Sequence, residues 1–159
     1  MEHDAMTWRS VESPMGVFSV GGTGGFIGAV ILPETSEGTL PEIGTDEEVK
    51  RGAEQLAQYL AGDRRDFSLS LRSAGTAFQE QVWETLLEIP YGSVESYGSM
   101  ADRVGRPKGS RAIGQAMGRN PIPIFRPCHR VVASNGIGGY GGGLALKRFL
   151  LTLEGIDDL

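Results

Sequence analysis

The sequence predicts an α+β protein in two parts. A small N-terminal β-sheet and helix domain covers residues 1–74; a mainly helical C-terminal domain over 75–159 carries a helix-turn-helix and a Pro-Cys-His-Arg segment. Three observations lead there. Short β-prone runs between Gly- and Pro-bearing turns fill the first part. Apolar residues at helical spacing, preceded by capping residues, fill the second. The charge balance also changes: residues 1–79 hold six basic and twelve acidic side chains, residues 80–159 nine and eight.

In the first part, Thr7 to Val11, Gly16 to Val20 and Phe26 to Leu32 read as strands. Residues 33–44, rich in Pro, Gly, Thr and Glu, read as a mobile loop. Thr45 stands three residues before Glu48, a capping-box spacing. Val49, Ala53, Leu56 and Leu60 then recur at helical intervals, and Gly62 is the expected stop. Phe67, Leu69 and Leu71 alternate with polar residues as a strand does. Nothing catalytic is visible here, and scaffolding is the expected role.

The second part opens with Thr76 and Gln79 as a capping box. Phe78, Val82, Leu86 and Ile89 form an apolar stripe that Trp83 and Leu87 widen, and Pro90 ends it. Tyr91-Gly92 is a turn. Ser96 caps a short helix to about Val104, 105–109 is a tight connection, and Ser110 to about Gly118 is a second short helix. Helix, Gly-bearing turn, helix is the helix-turn-helix pattern. Gly114 and Gly118 each cost about 1 kcal/mol relative to Ala. With Ala112 and Ala116 they leave one side nearly bare, suited to close approach by another surface, with Arg111 protruding from it. Leu146, Phe149, Leu150 and Leu153 give an amphipathic closing helix.

The chain has 159 residues, 40% of them hydrophobic, and a net charge of −5. That is neither a disordered nor a fibrous composition. No apolar run approaches the roughly 20 residues that span a bilayer, and no secretory leader pattern opens the chain. One cysteine, Cys128, excludes an internal disulfide and a multi-Cys zinc site. A reducing, cytoplasmic setting is expected, nucleoid-associated in a prokaryote. The acidic total hides a basic block. All nine bases of the second half lie between Arg103 and Arg148, with no Asp or Glu among them. Such a block suggests a polyanion partner.

The densest chemistry runs from Asn120 to Val132. Three prolines in seven residues predict a stiff, extended segment that presents Cys128 beside His129. Cationic neighbours and an imidazole favour the thiolate, the nucleophilic form. Alternation along an extended chain points the two side chains apart, so a bridging water is expected between them. The Gly-rich run at 138–143 lacks the phosphate-loop ending and reads as close backbone approach to a flat ligand, with Tyr140 as a stacking wall. Glu154 ends a helix, where a carboxylate opposes the macrodipole, and His129 is the expected compensating partner.

These motifs resemble the O6-alkylguanine-DNA alkyltransferase family. Pro127-Cys128-His129-Arg130-Val131-Val132 is similar to its signature, as are Ser96-Tyr97, Ser110-Arg111-Ala112-Ile113-Gly114, Asn120-Pro121, Gly142-Gly143-Leu144 and Glu154-Gly155. The resemblance is strong over 76–156 and generic before it. It implies irreversible, stoichiometric transfer of an alkyl group from guanine O6 in duplex DNA to Cys128. O4-alkylthymine stands as a further candidate substrate. His129, oriented by Glu154, takes the thiol proton through water. Tyr97 donates near the base and Gly141 N–H donates to O6; Gly141 stands where some relatives have Ser. Lys147 supports the cysteine site, and Asn120 braces the helix-turn-helix against the active-site strand. Pro123 and Tyr140 wall the base pocket, and the Val131 and Cys128 carbonyls accept the exocyclic amine.

The resemblance further implies a flipped nucleotide, Arg111 filling the vacated stack, and minor-groove contact through Tyr97, Ser110, Ala112, Gly114 and Arg119. It implies no cofactor. With no second cysteine and only His3 besides His129, no metal is expected. A monomer bound to double-stranded DNA, away from membranes, completes the expectation. Three other readings stay open on the sequence: a lesion-binding protein without transfer, a sequence-specific regulator with a sensor cysteine, and a cysteine hydrolase.

Overall fold

The computed structural model describes residues 6–33 and 42–159, which fall into two compact units, Met1–Ser73 and Ala74–Leu159. Most of the loop read at 33–44, and His3, lie outside the described residues.

In the first unit, β1 (Thr7–Ser13), β2 (Gly16–Thr23) and β3 (Phe26–Ile31) form an antiparallel meander in that order. The β2–β3 turn is Gly24-Gly25, both with positive φ, as a tight two-residue hairpin requires. Helix α1 (Glu47–Leu60) covers the sheet, burying Val49, Leu56 and Tyr59 with Phe18, Val20 and Ile27. Gly52 lets it approach: a Cβ there would lie 2.7 Å from Ile27 Cδ1.

Two expectations change here. The cap of α1 is Asp46, not Thr45: its carboxylate accepts from the Glu48 and Val49 amides at 3.0 and 3.2 Å. Glu48, the capping-box partner expected of Thr45, instead turns its carboxylate to the Ser70 amide. The run Phe67–Leu71 makes a single bridge, Leu71 to Ile27, instead of a strand. Its backbone is held by a side chain, since Gln55 Oε1 accepts from Ser68 N at 2.9 Å.

The second unit contains α2 (Ala77–Leu86), β4 (Glu95–Ser96), α3 (Tyr97–Arg103), α4 (Ser110–Gly118), β5 (Val131–Val132) and α5 (Leu144–Leu153). Thr76 and Gln79 form the capping box of α2, and Ser96 caps α3 through Ser99 N at 3.0 Å. Val82, Trp83, Leu86 and Ile89 from α2 and its tail pack with Met100, Ala101, Ile113, Ala116, Met117, Cys128 and Val131 in one core. Trp83 Nε1 donates to the Ala116 carbonyl at 2.9 Å, pinning α2 to α4. Leu87, read as part of the stripe, is the C-cap of α2 and is 52% exposed. The bare side read on α4 is also divided. Ala116 faces the core, while Gly118 is exposed and Ala112 and Gly114 are half-buried at the flanks.

Candidate active site

The segment from Asn120 to Arg130 is not extended. Proline fixes φ but leaves ψ free, and a side chain closes the chain on itself. Asn120 Oδ1 accepts from Ile122 N at 3.0 Å, and its Nδ2 donates to the Arg126 carbonyl at 3.1 Å. Ile124 adopts a φ of +74, and Pro123 bridges Arg126. The loop delivers Cys128, His129 and Arg130 on a 3-10 turn. Successive side chains there diverge by about 120°, so strand alternation does not govern how Cys128 and His129 point. After the turn, β5 pairs in parallel with β4, Glu95 beside Val131 and Ser96 beside Val132.

His129 is fully buried, its Nε2 2.8 Å from Glu154 Oε2. Glu154 is the C-cap of α5, and its carboxylate accepts more than the histidine. Arg130 Nε lies 2.9 Å from Oε1, Arg130 Nη2 3.0 Å from Oε2, and Gly92 N 3.0 Å from Oε1. Burial alone pushes the Glu154 carboxyl up. The His129 hydrogen bond chiefly, then its charge, Arg130 and Gly92, bring it down to about 2. Burial keeps His129 below its ordinary value, against the pull of Glu154. It is therefore a neutral imidazole at neutral pH, with Nε2–H donated to the carboxylate.

Cys128 is 9% exposed. Burial raises its thiol; the Asn120 side chain and the Lys147 charge pull the other way and do not win. The resting residue is thus a thiol, not the thiolate expected from its cationic neighbours, and any reaction through its thiolate would need a base to take the proton. Lys147 is fully buried, with Nζ 2.7 Å from the Val131 carbonyl and 2.9 Å from that of Gly139. Burial lowers it to about 8. It ties the Gly-rich loop to the strand that follows the Cys128 turn.

Tyr97 packs on the same core, and the Gly138 backbone lies against its phenol: a Cβ at Gly138 would be 3.2 Å from Tyr97 Oη. Tyr140 packs there too, its buried Oη without a hydrogen-bond partner. Pro123 and Val131 are buried and Gly141 is exposed. The Val131 carbonyl already accepts from Lys147, and the Cys128 carbonyl from Val131 N. Each oxygen retains a second lone pair for a ligand.

Ser110, Arg111 and Arg119 are exposed on α4 and its end. The basic block is not wholly a surface, however. Arg126, Arg130 and Lys147 are buried, and Arg103 pairs with Glu88 and Glu95. Arg106, Lys108, Arg111, Arg119 and Arg148 are its other exposed members. The sequence reading missed Arg130 and Gly92 as donors to Glu154. No spacing in the sequence pointed to either, since the partners lie 24 and 62 residues from Glu154. Among the described residues no three or more His, Cys, Asp or Glu side chains gather as a metal site, and no helix is long and apolar enough to cross a membrane.

A buried thiol on a tight turn, followed directly by an imidazole locked to a carboxylate, defines a protein with a base-assisted nucleophilic cysteine. Comparison with known proteins narrows the class. Residues 77–156 match the family described as 6-O-methylguanine DNA methyltransferase, DNA binding domain. The chain is 43% identical over 150 residues to the methylated-DNA–protein-cysteine methyltransferase of Mycobacterium tuberculosis, covering 92% of this chain and 91% of the relative. It is 50% identical over 106 residues to the constitutive enzyme of that name from Bacillus subtilis, covering 65% and 64%. The crystal structure of Mycobacterium tuberculosis OGT in complex with DNA superposes with a TM-score of 0.84 at 41% identity, covering 93% of this chain and 92% of that one. The chain belongs to the 6-O-methylguanine DNA methyltransferase family.

Proposed function

We propose that this protein repairs alkylated DNA by moving the alkyl group from guanine O6 to Cys128, once per molecule. The observation that carries the reading is the 2.8 Å pair of His129 Nε2 with Glu154 Oε2, built onto the turn that holds Cys128. Relatives named methylated-DNA–protein-cysteine methyltransferase, and a similar protein solved with DNA, support substrate and partner.

In the step, the Sγ–carbon bond forms as the carbon–O6 bond breaks. The thiol proton passes through a water to His129, and the electron pair of the broken bond stays on O6. Glu154 stabilises the imidazolium, in the logic of catalytic triads. Guanine leaves as an anion that regains a proton; the Tyr97 hydroxyl and the Gly141 N–H are the donors toward it. The thioether is not hydrolysed, so the protein is consumed. Pro123, Tyr140 and the Val131 and Cys128 carbonyls receive the base. O4-alkylthymine, a smaller base, is the further candidate substrate for the same site.

A stacked guanine hides O6, so the nucleotide is flipped out at a cost of a few kcal/mol, less for a poorly paired lesion. Exposed Arg111 fills the gap from the minor groove. Ser110, Ala112, Gly114 and Arg119 meet the backbone around it, and Tyr97 acts beside the extruded nucleotide. The protein works as a cytoplasmic monomer. The test is a digest after incubation with a duplex holding O6-methylguanine. The peptide bearing Cys128 gains one methyl, and Cys128→Ala gains none. Methyl found on another residue, or on none, defeats the proposal.

A further inference from the structure

Arg130 is the buried charge that the proposed chemistry leaves without a task. Arg130 is 6% exposed, and each nitrogen of its guanidinium has an acceptor: Nε and Nη2 grip both oxygens of Glu154, and Nη1 donates to the Ile89 carbonyl at 2.7 Å. The Tyr91 ring flanks it at 5.8 Å. Two of its contacts therefore belong to the turn after α2, which also supplies the Gly92 amide to Glu154.

We propose that Arg130 is the positioning residue of the His129–Glu154 pair: it fixes the carboxylate so that Oε2 faces His129 Nε2, and its charge already matches that of Glu154 before any proton reaches the imidazole. This rests on the reading of Cys128 as alkyl acceptor and adds which cation sets the working pH of its base.

The electrostatics follow from the groups around the imidazole. Glu154, at the end of α5, favours the protonated ring. Burial opposes protonation most, and Arg130 from the same turn and Lys147 from α5 oppose it further. With Arg130 in place, the charge of Glu154 is already matched. A proton reaching His129 then creates a net positive cluster in a water-poor site, and it passes on readily. Without Arg130, the carboxylate is matched only when His129 is protonated. The ring would then hold its proton to a higher pH, and it would be free to take the thiol proton only above that point. The geometric part is separate. A planar fork orients a carboxylate plane, whereas an ammonium does not.

Two variants of the full chain separate charge from geometry. R130Q removes the charge and retains hydrogen-bonding capacity; R130K retains the charge and loses the fork. Each is followed by a nitrogen-15 NMR titration of the His129 ring, with His3→Gln assigning the two histidines. Each is also followed by the rate of alkyl transfer from free O6-benzylguanine against pH, with circular dichroism and urea unfolding as checks on the fold. In R130Q the His129 midpoint and the acid limb of the rate move up together by about one pH unit. That is a tenfold loss of rate below the limb, and the plateau above it falls several-fold as well, since glutamine also lacks the fork. In R130K the limb stays at its wild-type position and the plateau falls several-fold. A folded R130Q with an unmoved midpoint and limb overturns the proposal. If R130Q does not fold, R130K decides alone, since a displaced midpoint despite the retained charge also overturns it. A wild-type protein that transfers nothing defeats the functional reading, while the His129 midpoints still test the coupling to Arg130.

Discussion

Val132 stands beside Ser96 in the parallel pairing of β4 with β5. Ser96 is also the cap of α3, its Oγ 3.0 Å from Ser99 N. The residue that starts the first short helix is therefore registered on the strand that leaves the nucleophile. The α3–α4 pair and the Cys128 turn are fixed to one another by backbone pairing, not by side-chain packing alone.

Ser96→Ala removes that cap. The expected loss is about 1 kcal/mol, read as a lower urea midpoint, with transfer from free O6-benzylguanine nearly unchanged. A variant as stable as wild type would mean that β4–β5 pairing alone holds the start of α3.

Much of this was legible in the sequence because local rules agreed with the fold. Thr76 with Gln79 and Ser96 with Ser99 are caps whose partners lie three residues away, and a sequence displays such partners directly. Asp46 was missed because Thr45 and Asp46 both qualify, and the choice turns on Glu48, which leaves for Ser70. The 120–130 loop was misread because proline rules speak of φ. The closure comes from the Asn120 side chain and the left-handed Ile124. Arg130 was hidden among nine bases. Its partner lies 24 residues away, and nothing in the spacing distinguishes a buried guanidinium from an exposed one. The same blindness made Cys128 look like a thiolate, since burial, the largest influence on it, is not written in the sequence.

Arg111 is exposed at the start of α4. Arg111→Ala is expected to slow repair of a duplex by about ten- to a hundredfold, part of the few kcal/mol that unstacking costs. Reaction with free O6-benzylguanine should hold. Equal losses on both substrates would assign Arg111 to folding or to the pocket.

Acid should weaken the fold through the Glu154 cluster. Its folded value of about 2 lies below the ordinary 4.5. Its contribution is therefore complete above about 4.5 and lost as pH falls through 2. His129, neutral when buried and ordinarily near 6.5 when free, acts in the same direction below that value. Urea unfolding across this range should show stability falling with pH, less steeply in Glu154→Gln. Parallel slopes in the two proteins would contradict the assignment.

Transfer should also weaken in alkali. Lys147 loses its proton near pH 8. With it go the charge that assists the Cys128 thiolate and the ammonium that ties Gly139 to Val131. The rate of reaction with free O6-benzylguanine is expected to decline on passing about 8. In Lys147→Arg, whose charge persists, the decline should vanish even if the plateau is lower. A rate that climbs steadily through pH 8 in the wild type would show that Lys147 has no such part.

The measurement that reaches furthest is the intact mass of the protein after titration with a duplex containing O6-methylguanine. One methyl group per chain, reached at one equivalent of lesion and not exceeded with excess, is the predicted result. A protein that stays unmodified while lesions disappear catalytically, or that binds the duplex and leaves both partners unchanged, would contradict a consumed Cys128.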